Sequence, residues 1–294
     1  MPLSSQQLES VITKASHALA EYCMNAEIHT TVTGISGGLD SAVTLALAKR
    51  ASQNAISQGF ELRALGLILP CHSDPDHAIL AKQLIQQVGA ELIEVDLTGV
   101  YDHIEAGVLK PLAERLLEYQ DTDQEGRYRT SQGNVKARLR MALGTYYVAN
   151  MVNGLVLSTD NYSEYWMGFW TLHGDVGDFG MIQELWKGDE LIQIAEYLDI
   201  PREILAAAPT DGLGVQPGGD EAQLGAPYPI VDRVLKDLLG KGIDLNGDEK
   251  QLDKLPQIDG IESELVKKIA KRALNNAFKR RHSVNLSRKD LGLE

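Results

Sequence analysis

From Ser4 to Met24 the apolar residues Leu8, Val11, Ile12, Ala15, Leu19 and Tyr22 recur at the spacing of one helix face. Ser4, with Gln7 after it, reads as a capping box at the start of that helix. The pattern then changes. Thr30 to Ile35 is β-branched and predicts a strand, whereas Ala42, Val43, Leu45, Ala46 and Leu47 have the composition of a buried helix, closed by polar residues and Gly59. Leu62 to Leu69 reads as a second buried strand. Asp74-Pro75 opens a helix that ends at Gly89, and Glu91 to Leu97 is a third strand. Strands alternating with helices argue for a parallel sheet covered on both faces, which places ligands at the C-terminal ends of its strands.

The middle of the chain is less regular. Thr98 to Tyr119 reads as one or two helices broken near Lys110-Pro111, and the polar, acidic stretch Gln120 to Gln132 as a mobile loop. A helix is expected from Gly133 to Tyr147, with Val135, Leu139, Ala142 and Tyr146 on one face. Lys136, Arg138 and Arg140 would then crowd its first turn, the wrong sign for the helix dipole. That is either a solvated basic face or a place where an anionic ligand compensates. Leu155 to Ser158 is a fourth short strand, and Thr159 to Gly168 opens a helix with Glu164 one turn in. Leu172 to Asp178 and Pro209 to Gly225 are glycine–aspartate loops. Between them Lys187 begins or precedes a helix with Leu191, Ile192, Ile194, Ala195 and Leu198 as its apolar set.

Composition narrows the class without choosing within it. The chain has 294 residues, 44% hydrophobic and 23% charged, ordinary for a globular protein with a sizeable core. A net charge of −13 weighs against nucleic acid or an anionic membrane as partner. The only cysteines, Cys23 and Cys71, have no metal spacing, which fits a reducing, cytoplasmic location. No apolar run is long enough to span a bilayer, and no basic-then-apolar leader opens the chain.

The chemistry concentrates between the first strand and the helix after it, at Gly34-Ile-Ser-Gly-Gly-Leu-Asp-Ser41. Gly37 and Gly38 allow a sharp turn and a close backbone approach. The amides and dipole of the following helix N-terminus make an anion site, to which Ser36 and Ser41 add hydroxyls. Asp40 beside phosphates requires a divalent cation, and Glu164 would face the same phosphates. No Gly-Lys-Ser/Thr follows, so this is not a Walker loop. The stretch resembles the pyrophosphate-binding loop of N-type ATP pyrophosphatases.

With Gly133-Asn-Val-Lys-Ala-Arg138, Ser158-Thr-Asp-Asn-Tyr-Ser-Glu164, Gly174-Asp-Val-Gly-Asp178, Pro209-Thr-Asp211 and Asp220-Glu-Ala-Gln-Leu-Gly225, the chain resembles the ammonia-dependent NAD synthetases from about Ser4 to His282. The resemblance implies an α/β fold of the adenine nucleotide alpha hydrolase-like, doubly wound kind, a parallel sheet flanked by helices in one domain over 1–282. Residues 240–257 would be a surface insertion and 283–294 a tail. It implies ATP-dependent amidation of deamido-NAD by ammonia, through an acyl adenylate, in a homodimer. Gly34, Ile35, Ser36, Gly37, Gly38, Leu39, Asp40, Ser41, Thr159, Lys187 and Thr210 would bind ATP, with Asp40 and Glu164 as Mg²⁺ ligands. Arg138, His173, Asp178 and Lys279 would contact deamido-NAD. Asp40, Lys187 and Asp178 would serve catalysis, Asp178 as the acceptor of the ammonia proton. The chain departs from the family pattern at Ile68, Leu172 and Phe278, where basic residues or histidine are usual, and its Gly-Asp loop is one residue shorter. With only one helix before the ATP loop, free ammonia is the expected nitrogen donor. Two rival readings stand beside this one: a related ATP pyrophosphatase amidating or thiolating another acid, and an ATP sensor without turnover.

Overall fold

The computed structural model describes residues 2–116, 124–210, 212–213, 218–281 and 286–293. Helix α1 (Ser5–Asn25) begins with the expected capping box, Ser4 Oγ accepting from the Gln7 amide and the Gln7 side chain from the Ser4 amide. β1 (Thr30–Gly34), α2 (Leu39–Ser57), β2 (Arg63–Ile68), α3 (Pro75–Val88) and β3 (Glu91–Glu94) follow as the periodicity predicts. Asp74 caps α3, Pro75 takes its first position, and Gly89 closes it at a φ of 73°.

Three stretches differ from the sequence expectation. One is Gly219–Leu224, a short helix inside the expected Pro209 to Gly225 loop, begun and ended by left-handed Gly218 and Gly225. Thr98 to Leu116 is one continuous helix, in which α4 (Thr98–Ile104) passes through a π turn (Glu105–Leu109) into α5 (Lys110–Leu116). The Lys110 amide bonds the Glu105 carbonyl five residues back, so the helix widens ahead of Pro111 instead of breaking. The third difference is larger. Residues 124–132, expected as loop, belong to α6 (Gln124–Leu139), which continues through a π turn (Arg140–Tyr146) into α7 (Tyr147–Met151). Lys136, Arg138 and Arg140 therefore lie inside a long helix, where the terminal dipole exerts little influence, and the compensating-anion argument lapses. Ala142 is exposed rather than on the apolar face, because the π turn shifts the register of the buried side. Residues 120–123 of the expected loop lie outside the described residues.

β4 (Gly154–Ser158), α8 (Tyr162–Met167) and β5 (Phe179–Gly180) come next. The sheet is all parallel in the order β3-β2-β1-β4-β5. β5 has only two residues, too few for any periodicity to announce it. The chain winds outward from β1 to β2 and β3, then returns to place β4 on the other side of β1. That reversal opens a crevice at the C-terminal ends of β1 and β4.

The remaining helices are α9 (Ile192–Tyr197), entered through a π turn at Lys187–Leu191, then α10 (Arg202–Ala206), α11 (Gly219–Leu224), α12 (Tyr228–Gly240) and α13 (Ser263–Asn275). Leu45, Leu47, Leu84 and Ile194 are buried together with α1 and α2 over one face of the sheet, and Val32, Leu67, Tyr101 and Val156 in another cluster. A further core joins α8, α12 and α13 through Met167, Leu235 and Ile269. Residues 240–257 are anchored in it by the fully buried Leu245, whose carbonyl accepts from Arg280. Among the described residues no helix is long and apolar enough to cross a membrane.

Candidate active site

The glycine turn is built before any ligand arrives. The Ile35 amide extends the β1–β2 ladder to Leu67, after which the chain turns at Gly37 with a φ of 84°. A Cβ on Gly37 would lie 2.5 Å from the His77 carbonyl oxygen, so no other residue fits there. Ser36 Oγ accepts from the Gly38 amide and lies 3.2 Å from Ser41 Oγ, which itself accepts from the Ser36 amide. Gly38 then opens α2, and Asp40 stands in the first turn of that helix.

Directly across the crevice, Asn161 caps α8 by accepting from the Glu164 amide at 3.0 Å and donates its Nδ2 to Asp40 Oδ1 at 2.9 Å. One side chain thereby fixes the distance between the two carboxylate-bearing helices. Between them lies Lys187, buried, its Nζ 2.8 Å from Asp40 Oδ2, 3.0 Å from Glu164 Oε1 and 3.8 Å from Asp220 Oδ2. Tyr228 donates its hydroxyl to Glu164 at 3.1 Å and to Asp220 at 3.3 Å, with the lysine 4.4 Å from its ring centre. Asp160, also buried, accepts from Ser158 Oγ at 3.0 Å.

Acid exceeds base in this cluster, and the titration of each group follows. Burial alone would discharge Lys187, but the carboxylates of Asp40, Glu164 and Asp220 outweigh it and hold the amine charged, well above the ordinary lysine value. Burial raises Glu164 to about 7, with Asp40 and Asp220 adding to the rise against the pull of Lys187. Burial also pushes Asp160 well above the carboxylate range, helped by Asp175 and Glu164. One ammonium thus stands among more carboxyl groups than it can pair with, and protons take up the surplus. A donor set made only of oxygens fits a hard divalent cation in their place. Among the described residues no three acidic, histidine or cysteine side chains are gathered to hold an ion alone. Phosphate oxygens would complete the coordination.

A cavity of about 240 Å³ opens over this cluster. Gly34, Ile35, Ser36, Asp40, Ser41, Thr159, Glu164, Lys187 and Thr210 line it, while Gly37, Gly38 and Leu39 shape the turn without lining it. Asp211, from the Pro209 motif, lies outside the described residues. Ile68 also lines the cavity, and Arg140 enters its wall with hydrogen bonds to the Leu69 carbonyl and Ser73.

The residues expected to hold a second nucleotide stand elsewhere. Arg138 is exposed and donates to the Leu172 carbonyl at 3.2 Å, and His173, at a φ of 60°, is exposed. Asp178 accepts from the Tyr146 hydroxyl at 2.6 Å, so the carboxylates that reach the cavity from this region are Asp160 and Asp175. Lys279 spends its amine on the carbonyls of Gly168 and Trp170, and burial lowers its pKa. Phe278 beside it is exposed. None of these four expected contacts lines the cavity of a single chain.

The sequence pattern assigns no role to Asn161, Asp160, Asp220 or Tyr228. Asn161 did carry a signal, since Asn followed three residues later by Glu is a helix-start pattern. Asp220 lay in a motif without a role, and Tyr228 had no signal at all.

Comparison with known proteins places these features in context. The family model described as NAD synthase matches residues 11–283. Among similar proteins, the NH(3)-dependent NAD(+) synthetase of Alkaliphilus oremlandii is 35% identical over 243 residues, covering 81% of this chain and 88% of its own. That of Methanocaldococcus jannaschii is 32% identical over 236 residues, covering 80% and 83%. Among solved structures, the NMN synthetase from Francisella tularensis superposes with a TM-score of 0.73 at 26% identity, covering 95% of this chain and 98% of that one.

Proposed function

We propose, from the premise that the chain belongs to the NAD synthase family, that it amidates deamido-NAD with ammonia, consuming ATP and releasing AMP and pyrophosphate. The observation that carries this reading is the charged Lys187 buried among acids at the mouth of a pre-shaped glycine turn. In the first step a carboxylate oxygen of the nicotinate ring attacks the α-phosphorus of ATP, and pyrophosphate leaves. Ammonia then attacks the carbonyl carbon of the acyl adenylate, loses a proton and expels AMP.

A carboxylate is already nucleophilic, so the chain must chiefly bring two anions together. The amides and hydroxyls of Ser36 to Ser41 hold the phosphates. Lys187 places positive charge where it develops at the phosphorus, and burial makes that charge more effective than it would be in water. Mg²⁺, held by Asp40 and Glu164, would neutralise the leaving pyrophosphate when bound. Asp178 is the proposed acceptor of the ammonia proton.

Arg138, His173 and Asp178 fit this scheme as contacts for the dinucleotide in a site shared by two protomers, which Lys279 would join by releasing the Gly168 and Trp170 carbonyls. Leu143, Tyr147 and Met151, spaced by four along the helix that carries Arg138, are 49%, 61% and 69% exposed. Such an apolar stripe suits a second copy of this chain. Burial of the free thiols Cys23 and Cys71 agrees with a cytoplasmic setting.

A mononucleotide acid in place of deamido-NAD is favoured by one feature, the commitment of Lys279 to backbone carbonyls. The deciding assay follows NAD, AMP and pyrophosphate in one tube with ATP, Mg²⁺ and ammonium. Deamido-NAD is compared there with nicotinic acid mononucleotide. NAD formed in step with AMP is the expected result. ATP cleavage with the mononucleotide alone would transfer the same chemistry to the smaller acid, and silence with both would leave a nucleotide sensor.

A further inference from the structure

The site depends on a long, flexible lysine side chain being held in one place, and its backbone is fastened in an unusual way. The helix that Lys187 opens has no capping bond from its own first residue. Its leading amides are instead taken one by one. Trp186 donates to Glu190 Oε2 at 2.9 Å, Lys187 to Ser163 Oγ at 3.0 Å, and Gly188 to Asp232 Oδ2 at 2.7 Å. Ser163 and Asp232 thus take the adjacent amides of one turn. Asp232 comes from α12, far along the chain, and is only 2% exposed.

Its neighbour one turn back on α12 is Tyr228, which touches Glu164, Asp220 and the lysine side chain. One helix face therefore addresses Lys187 twice, at the ammonium through Tyr228 and at the backbone through Asp232. Gly188 is required by the same fit, since a Cβ there would lie 2.7 Å from Asp232 Oδ2 and 2.7 Å from the Pro229 nitrogen. Ser163 immediately precedes Glu164, so the bond from the Lys187 amide ties that carboxylate's helix to the lysine's turn.

We propose that Asp232 is a positioning residue, a cap supplied from α12 that locks the Lys187-Gly188 turn, which the Ser163 hydroxyl ties at the neighbouring amide to the turn of α8 that carries Glu164. A carboxylate at a helix N-terminus is electrostatically favourable, and here it also satisfies a buried amide that would otherwise have no acceptor. Burial is costly for the acid, which is raised to about 6 although Ser163, the Gly188 amide and Lys236 pull it down. Its second oxygen, Oδ1, has no hydrogen-bond partner among the described residues. An acid kept in such a place at that cost is explained by what its other oxygen holds.

This inference rests on the proposed site, and two independent readouts test it in Asp232→Ala, Asp232→Asn and Ser163→Ala. Hydrogen exchange over Trp186 to Leu191 should quicken in Asp232→Ala and Ser163→Ala, with the rest of the sheet unchanged. Asparagine keeps an acceptor oxygen and should restore most of the protection. Turnover of Asp232→Ala should fall about 10- to 100-fold, with KM for ATP changing much less, as expected when a charge is misplaced rather than removed. Wild-type exchange in that segment together with wild-type kcat would overturn the proposal. So would a uniform rise in exchange across the whole core, which would make Asp232 merely a stability residue. Should Asp232→Ala fail to fold, Ser163→Ala decides by the same two measurements. Exchange needs no substrate, so a wild-type protein that made no NAD would sink the assigned reaction while the clamp was still judged on its own.

Discussion

Lys187 shows how one buried charge can organise a site. Its ammonium touches carboxylates from α2, α8 and α11, three segments far apart in sequence. Replacing Asp40 by alanine should abolish turnover while circular dichroism and the melting curve stay close to wild type, because Asp40 is partly exposed at the crevice. Normal activity in that variant would remove Asp40 from the reaction. Arg138→Ala should instead raise KM for deamido-NAD with kcat little changed. A change confined to KM for ATP would contradict its assignment.

Asp232 gives a pH signature at the same scale. Its carboxyl lies at about 6 in the fold against an ordinary 3.8, burial being the main cause and nearby Asp189 adding to it, with Lys236 opposing. A raised folded value favours the protonated acid, so its stabilising contribution is complete below about 4 and is lost as pH rises through about 6. Relative to Asp232→Asn, the wild-type protein should therefore lose stability across that window, by at most about 3 kcal/mol. Denaturant titrations at several pH values would measure it, and parallel curves for the two proteins would exclude the effect.

At the scale of elements, the long helix from α6 to α7 carries the largest difference between pattern and structure. Its polar first half, Gln124 to Gln132, has too few apolar residues to declare a buried face, and the π turn after Leu139 breaks the regular period. The stripe of Leu143, Tyr147 and Met151 on this helix leads to a prediction about assembly. Met151→Asp combined with Tyr147→Glu should yield a monomer by light scattering and lower activity, if two protomers share the substrate. A wild-type mass and rate in that double variant would show that the stripe covers nothing the reaction needs.

For the molecule as a whole, the two halves of the crevice belong to different cores. The glycine turn stands on the parallel sheet, whereas Glu164 and Tyr228 stand on the cluster formed by α8, α12 and α13. A ligand spanning both should tie them together. Saturation with ATP and Mg²⁺ at about a hundred times Kd should add about 2.7 kcal/mol to stability, read as a rise in Tm. Removal of the metal by a chelator should cancel much of that rise if Asp40 and Glu164 hold it. An unchanged Tm shift in the chelated sample would show that ATP binds without the cation.

The α/β alternation, the glycine turn and the helix starts at Ser4 and Pro75 were legible from the chain alone, because strand periodicity, caps and φ > 0 positions are set by residues close in sequence. Sequence likewise nominated Ser36, Asp40 and Glu164, each sitting in a local motif, and Lys187 through the family resemblance. It could not show that Lys187 bridges the two carboxylates, that Asn161 spans from one helix to the other, or that Asp160, Asp220, Tyr228 and Asp232 join them. Those relations depend on how segments separated by scores of residues pack across a sheet. Burial then decides which of their charges persist, since desolvation and neighbouring charges act through space and leave no periodic trace in the sequence.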